Sequence, residues 1–396
     1  MSSNQELKAL AEAYCMGNYG ERKIALVRGQ GAYVWDADGK KYVDCLAGIA
    51  VNNTGHCHPR VVKAIQEQAA TLIHVSNLYL IEPQIRLAEY LCKNTFAAKA
   101  FFCNSGAEAI EGALKLARKY AKDKGYEHRS GYITMLNSFH GRTFGTVSAT
   151  GQEKIRKGFD PLLPNFKYVP LNDLEAVRSA VDEETCAILV EPVQGEGGVR
   201  VADEAFLHGL REICDQRDML LLYDEVQTGN GRTGKLFAYM HSGVVPDALS
   251  TAKGLGGGMP IGALLVSEKC QNTLSPGTHA STFGGNALAS AAALASLQVI
   301  EDEGLCQKAW ELGLALRTKL QSLQRRVKGI MEVRGLGLLI GVEMESSVTP
   351  VLAEMAERGF LLGSAGPNVI RVAPPLVISE EDLQRMLDNL EEVLVK

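Results

Sequence analysis

The stretch Ala248-Leu-Ser-Thr-Ala-Lys253-Gly-Leu-Gly-Gly-Gly258 decides how this chain reads. A short, mostly apolar run stops at a single lysine, and glycines follow at once. An apolar run that ends in a reactive residue reads as a buried strand stopping at a pocket. The glycines let the backbone turn tightly and approach a ligand. A lysine in that place is drawn out of water, which lowers its basicity and makes it a nucleophile for carbonyl carbon. The competing reading is a surface lysine in a flexible loop.

Two further runs weaken that alternative because they end the same way. Cys186-Ala-Ile-Leu-Val190 stops at Glu191-Pro192, and Met219-Leu-Leu-Leu-Tyr223 stops at Asp224-Glu225. Neither alternates polar with apolar, so both faces are expected to be covered, as in a mostly parallel sheet flanked by helices. Ligands of open α/β sheets sit at the carboxyl ends of the strands, so Glu191, Asp224 and Lys253 are expected on one rim. An acid to hold a positive ring nitrogen, beside a lysine to hold a carbonyl carbon, suits pyridoxal 5'-phosphate.

The totals set bounds. At 396 residues the chain has room for a large core and two domains. A net charge of −5 argues against a nucleic-acid surface. No apolar run reaches the length of a membrane span, and the first residues lack the pattern of a signal peptide, so a cytoplasmic protein is expected. The 9 cysteines are scattered without a Cys-x-x-Cys pair, which suits reduced, buried thiols. His56-Cys57-His58 invites a metal reading, but adjacent residues cannot easily all reach one ion; no metal is expected.

In chain order, an N-terminal helix precedes a hairpin, Ala32-Tyr-Val-Trp35 and Lys40-Lys-Tyr-Val43 around Asp38-Gly39. A helix is expected from Pro59 to about Thr71, with Val62, Ile65 and Ala69 on one face. Asn104-Ser-Gly106-Ala107 opens another, striped by Ile110, Leu114 and Ala117. Its N-terminus offers free N–H groups and a positive dipole end, a seat for a phosphate. The run Tyr132–Leu136 leads into Phe139, which has the ring to stack on a flat cofactor, and Arg142, which has the fork to clamp a carboxylate. His140 is read as structural rather than acid–base. Glu191 and Glu196 place two carboxylates near the pocket, a candidate charge gate with arginines; the alternative for Glu191 is an anchor of its turn. The glycines after Asp224 and Lys253 match neither a dinucleotide fingerprint nor a phosphate loop. Past the hydroxyl-bearing loop around Ser281 and Thr282, one long helical region is expected from roughly residue 290 to Val327. Strands at Ile330–Arg334, Leu338–Glu343 and Val369–Val372 follow, with helices near 351–358 and after Ser379, which heads a capping pattern with Asp382. Arg371, at the end of its strand, is a candidate to face the rim, an exposed strand arginine being the rival reading.

Asn104-Ser-Gly-Ala-Glu108, Ser138-Phe-His-Gly-Arg142, Glu191-Pro-Val-Gln-Gly-Glu196, Asp224-Glu-Val-Gln-Thr-Gly229 and Thr251-Ala-Lys253 together resemble the class-III, ω-amino-acid aminotransferases of fold type I. Val51-Asn-Asn-Thr-Gly-His56, Val75-Ser-Asn-Leu-Tyr79 and Val333-Arg-Gly-Leu-Gly-Leu338 resemble the branch that acts on acylated ornithine. The resemblance implies a large domain over residues 58–287, and a small α+β domain over 288–396 to which residues 1–57 contribute. It implies pyridoxal 5'-phosphate bound by Gly106, Ala107, Phe139, Asp224, Glu225, Val226, Gln227, Lys253 and Thr282. Lys253 and Asp224 are its catalytic pair. Many relatives carry threonine where this chain has Ala107, so only the backbone contact is carried over there. Thr282 would reach the phosphate of a neighbouring subunit, which implies a homodimer with shared active sites. Arg142 and Ser281 would meet an acylated amino acid, and Arg371 an α-carboxylate in exchange with Glu196. The implied reaction takes nitrogen from acylated ornithine to 2-oxoglutarate, giving glutamate. Succinylornithine, ornithine, N-succinyl-diaminopimelate and 4-aminobutyrate are rival donors, and an aminomutase of the same fold is the rival activity.

Overall fold

The computed structural model describes residues 2–395. Its centre is a sheet of 7 strands in the order Lys99–Cys103, Gly262–Val266, Ala248–Thr251, Leu220–Asp224, Thr185–Val190, Gly131–Met135 and Phe166–Val169. All run in one direction except Gly262–Val266, which pairs antiparallel with both neighbours. The mostly parallel expectation therefore holds.

The unbroken apolar runs follow from this position. Ile188, Val190, Leu221, Tyr223 and Leu249 pack into the core on one face. Their neighbours Ala187, Leu189, Leu220, Leu222 and Ala248 pack into the other, against Ile110, Leu114 and Ala117 of the helix Gly106–Asp123. With both faces covered, every second residue cannot be polar. Each large side chain so buried stabilises the fold by about 1.5–3 kcal/mol.

Two four-stranded sheets and a two-stranded ribbon, Val193–Gln194 with Arg200–Val201, lie outside this centre. One sheet joins Leu26–Gln30, Tyr33–Asp36 and Lys41–Asp44 to Phe360–Leu361 from the far end of the chain. The expected hairpin is present: Asp36 Oδ1 accepts the N–H groups of Asp38 (3.1 Å) and Lys40 (2.8 Å), and Gly39 has φ 88°. Leu26–Gln30 was not anticipated, since it is a largely exposed edge without apolar alternation. The other sheet orders Ile330–Leu336, Leu339–Met344, Val369–Val372 and Gly363–Ser364. One apolar cluster unites Val43, Cys45 and Val61 with Leu316, Ile340, Ile370 and Leu387.

Helices depart from expectation in detail. The region after residue 290 is two helices, Ala287–Asp302 and Leu305–Gln324, broken where Gly304 takes φ 61°. In Pro59–Thr71 the buried position is Val61, with Ala64 and Ile65 packed beside it, so the inward face is turned by one residue. His56 and His58 use their ring nitrogens on Asp44 (2.7 Å) and Glu303 (3.0 Å), in separate places.

Candidate active site

Strand ends converge on a cavity of about 320 Å³, with Lys253, Asp224, Glu191, Gly106 and Phe139 in its wall. Parallel register explains the meeting: Asp224 lies opposite Ser250, so its strand ends level with the one that leads to Lys253. The wall also takes in Val51 and the turn Gly258–Ile261, which no chemical side chain had marked in the sequence.

Lys253 adopts φ 45°, a left-handed conformation costly for a residue with a Cβ. Its ammonium makes no hydrogen bond or ion pair among the described residues. Burial lowers its pKa, opposed by Glu196, reinforced by Arg371, and opposed again by Asp224 and Glu191. The amine is thus shifted toward its nucleophilic form.

Asp224 is buried and fixed at both oxygens. Oδ1 accepts the Val226 N–H at 3.0 Å, and Oδ2 lies 2.8 Å from His140 Nδ1. The opposite ring nitrogen of His140 is buried without a partner. His140 is therefore structural in a specific sense: it holds the aspartate that faces the cavity. Glu191 accepts the Phe139 N–H at 3.0 Å, and its pKa is raised well above the usual carboxylate range by burial and then by the charge of Asp224. It anchors the loop that carries the phenyl ring.

The helix Gly106–Asp123 opens at the cavity. Ser105 caps it by accepting the Glu108 N–H at 3.2 Å, and Glu108 reaches back to the Asn104 N–H at 2.8 Å. The N–H groups of Gly106 and Ala107, in the first turn, have no helical carbonyl four residues before them and remain for an anion. A Cβ on Gly106 would lie 2.7 Å from Val226 Cγ1, so glycine is what lets this turn sit against the cavity wall.

At the edge, Arg371 is buried and paired with Glu196. Gln227 links them, accepting from Arg371 Nη1 at 3.1 Å and donating to Glu196 Oε1 at 3.2 Å. Burial alone would raise the Glu196 pKa; the Arg371 charge and hydrogen bond overcome it and leave it lowered. Arg371 Nε is buried without a partner.

The remaining expected residues divide. Arg142 is exposed and lines an outer space rather than the inner cavity, its guanidinium 5.4 Å from the Phe139 ring centre. Ser281 accepts from Asn104 Nδ2 (3.2 Å) and the Gly284 N–H (3.0 Å), outside the wall, and Thr282 is exposed. The Glu225 carboxylate points elsewhere: it is buried and accepts the N–H groups of Ala238 (2.5 Å) and Tyr239 (2.8 Å) and the Thr228 hydroxyl (3.0 Å).

This donor set fits a phosphorylated aromatic aldehyde. A held carboxylate, an unpartnered amine, an open helix N-terminus, and Phe139 and Val226 as apolar walls line one space.

Comparison with known proteins agrees with that chemistry. The family model described as aminotransferase class-III matches residues 16–394. The chain is 52% identical over 382 residues to the acetylornithine aminotransferase of Caldanaerobacter subterraneus subsp. tengcongensis, covering 96% of this chain and 97% of that protein. It is 48% identical to the succinylornithine transaminase of Citrobacter koseri, covering 96% and 94%. Among solved structures, the ornithine aminotransferase of Toxoplasma gondii superposes with a TM-score of 0.96 at 34% identity, covering 100% of this chain and 95% of that one. On sequence, fold and the strand-end constellation alike, this chain belongs to the class-III aminotransferases.

Proposed function

We propose that the chain carries the δ-amino group of N-acetylornithine to 2-oxoglutarate, leaving N-acetylglutamate 5-semialdehyde and glutamate, as a step of arginine biosynthesis. The observation that carries this reading is the meeting of Lys253, Asp224 and the Gly106 helix end in one cavity, with the Glu196–Arg371 pair at its edge. Relatives named for acetylornithine support the donor. Bound there, pyridoxal 5'-phosphate supplies an aldehyde that captures amines and a ring that accepts electrons.

The chain's own residues do the rest. Gly106 and Ala107 N–H groups would hold the phosphate, and Phe139 would cover the ring. Asp224, oriented by His140, would pair with the ring nitrogen. Gln227 would meet the ring hydroxyl. Lys253 Nζ would hold the group through its aldehyde and, once released, would serve as the base and acid that shuttles a proton at the substrate. Arg142 takes the α-carboxylate of the acylated donor while Glu196 screens Arg371; when the keto acid enters, its carboxylate displaces Glu196 and uses Arg371. Thr282, exposed on its own subunit, serves the neighbouring one in a cytoplasmic homodimer.

Spectral titration of the cofactor-loaded protein tests this. N-acetylornithine without keto acid is expected to bleach the visible absorption at lower concentration than ornithine or 4-aminobutyrate, and 2-oxoglutarate is expected to restore it. Another donor acting first would overturn the substrate; recovery without any keto acid would favour an aminomutase.

A further inference from the structure

An outer space of about 270 Å³ adjoins the site, lined in part by Phe139, Arg142, Gln152, Lys154 and Glu196. Phe139 is common to it and the inner cavity. Of the charged groups facing it, Glu196 is already paired with Arg371. Arg142 meets only the Phe139 ring, and Lys154 has no hydrogen bond or ion pair among the described residues. Two exposed cations therefore face one space without a free carboxylate in its wall.

A third space of about 500 Å³ shares Gln152, Lys154 and Glu196, but there Arg200 and Arg334 are balanced by two carboxylates, Glu343 pairing with both and Glu332 with Arg334. Glu153 lines this third space and not the outer one. Lys154 is also tied to the active-site loop. Gln152 Nε2 donates to the backbone oxygens of Asn137 (3.2 Å) and Ser138 (3.0 Å), just before Phe139, and Ile155 is buried. The backbone at Lys154 is thereby held relative to the Phe139 loop.

We propose that Lys154 determines specificity for the acyl arm of the donor. With the donor α-carboxylate on Arg142, Lys154 takes a carboxylate at the far end of the acyl group. N-acyl donors derived from a dicarboxylic acid are then substrates beside the acetylated one. This rests on the donor reading given above. The contact is solvent-accessible, so its weight is that of an exposed ion pair, about fivefold in affinity.

The experiment compares N-acetylornithine and N-succinylornithine as donors for the cofactor-loaded parent enzyme, Lys154→Met and Lys154→Arg. Both donors are expected to be turned over by the parent. Lys154→Met is expected to raise KM for the succinylated donor about fivefold. Its kcat, and both constants for the acetylated donor, should stay within about twofold, while Lys154→Arg restores the parent KM. Raising salt should narrow the gap between parent and Lys154→Met for the succinylated donor alone. An equal change for both donors, or none for either, would overturn the role of Lys154 while leaving the donor reading intact. Rejection of the succinylated donor by the parent would do the same. A parent that turns over neither donor would overturn the donor reading, and this proposal with it.

Discussion

His140 illustrates how one side chain acts through another. It lies 2.8 Å from Asp224 Oδ2 and lines the cavity. A hydrogen bond to a charged group contributes about 1.5–3 kcal/mol, so His140→Leu should slow a single half-reaction by roughly 10- to 100-fold. Rapid-mixing spectroscopy measures this, and an unchanged rate would deny that His140 positions Asp224. Glu225 makes a contrasting prediction in stability. Burial pushes its pKa up to about 7, against backbone hydrogen bonds that lower it. A carboxyl with a raised folded pKa binds more protons folded than unfolded. Its contribution is complete below the ordinary carboxylate range and is lost as pH rises through about 7. Glu225→Gln removes that titration, so the Tm of the variant relative to the parent should improve from pH 5 to pH 8. A constant difference across that range would show that Glu225 does not titrate there.

At the scale of the element, the start of the Gly106 helix sets two effects against each other. Alanine at a helical position is favoured over glycine by about 1 kcal/mol. Overpacking a closed contact costs about 1–3 kcal/mol, and a Cβ here would stand 2.7 Å from Val226 Cγ1. The clash wins, because Val226 is itself held by Asp224 through its N–H. Gly106→Ala should therefore weaken cofactor retention, read as faster loss of visible absorption on dialysis, and should not raise Tm. The same comparison explains what the sequence showed of each element. Strands covered on both faces display themselves as unbroken apolar runs. The exposed edge Leu26–Gln30 and the break at Gly304 lie where neither burial nor a strong apolar stripe marks the chain.

Across the whole molecule, Arg232 connects distant parts. Fully buried, it donates to the backbone oxygens of Leu338 (2.9 Å) and Pro374 (2.6 Å) and to Asn53 Oδ1 (2.6 Å). Those acceptors lie in the N-terminal and C-terminal parts, while Arg232 follows the strand that carries Asp224. Burial pulls its pKa below the ordinary arginine range, opposed by Asp44. Arg232→Met would orphan buried acceptors at roughly 1–3 kcal/mol each, so a Tm lowered by several degrees is expected in calorimetry. A Tm equal to the parent would mean that these contacts add nothing net. We infer from such ties, and from the pairing of Phe360–Leu361 with Lys41–Asp44, that the described residues up to 57 complete the small domain formed by those from 288 onward, beside a large domain over 58–287.

By itself the sequence determined the parallel sheet and the strand-end trio of Lys253, Asp224 and Glu191, because a strand buried on both faces leaves an apolar run whose chemical stop is visible. It also marked the capped helix start at Ser105–Ala107, since capping is local. Tertiary structure alone decided what depends on partners far along the chain. It turned Glu225 away from the cavity to meet Ala238 and Tyr239, and aimed His140 at Asp224. It joined Arg371 to Glu196 through Gln227, and left Lys154 facing the same space as Arg142. A side chain's chemistry is written in its identity, whereas its direction and its neighbours are set only when the strands take their register and the loops close around them.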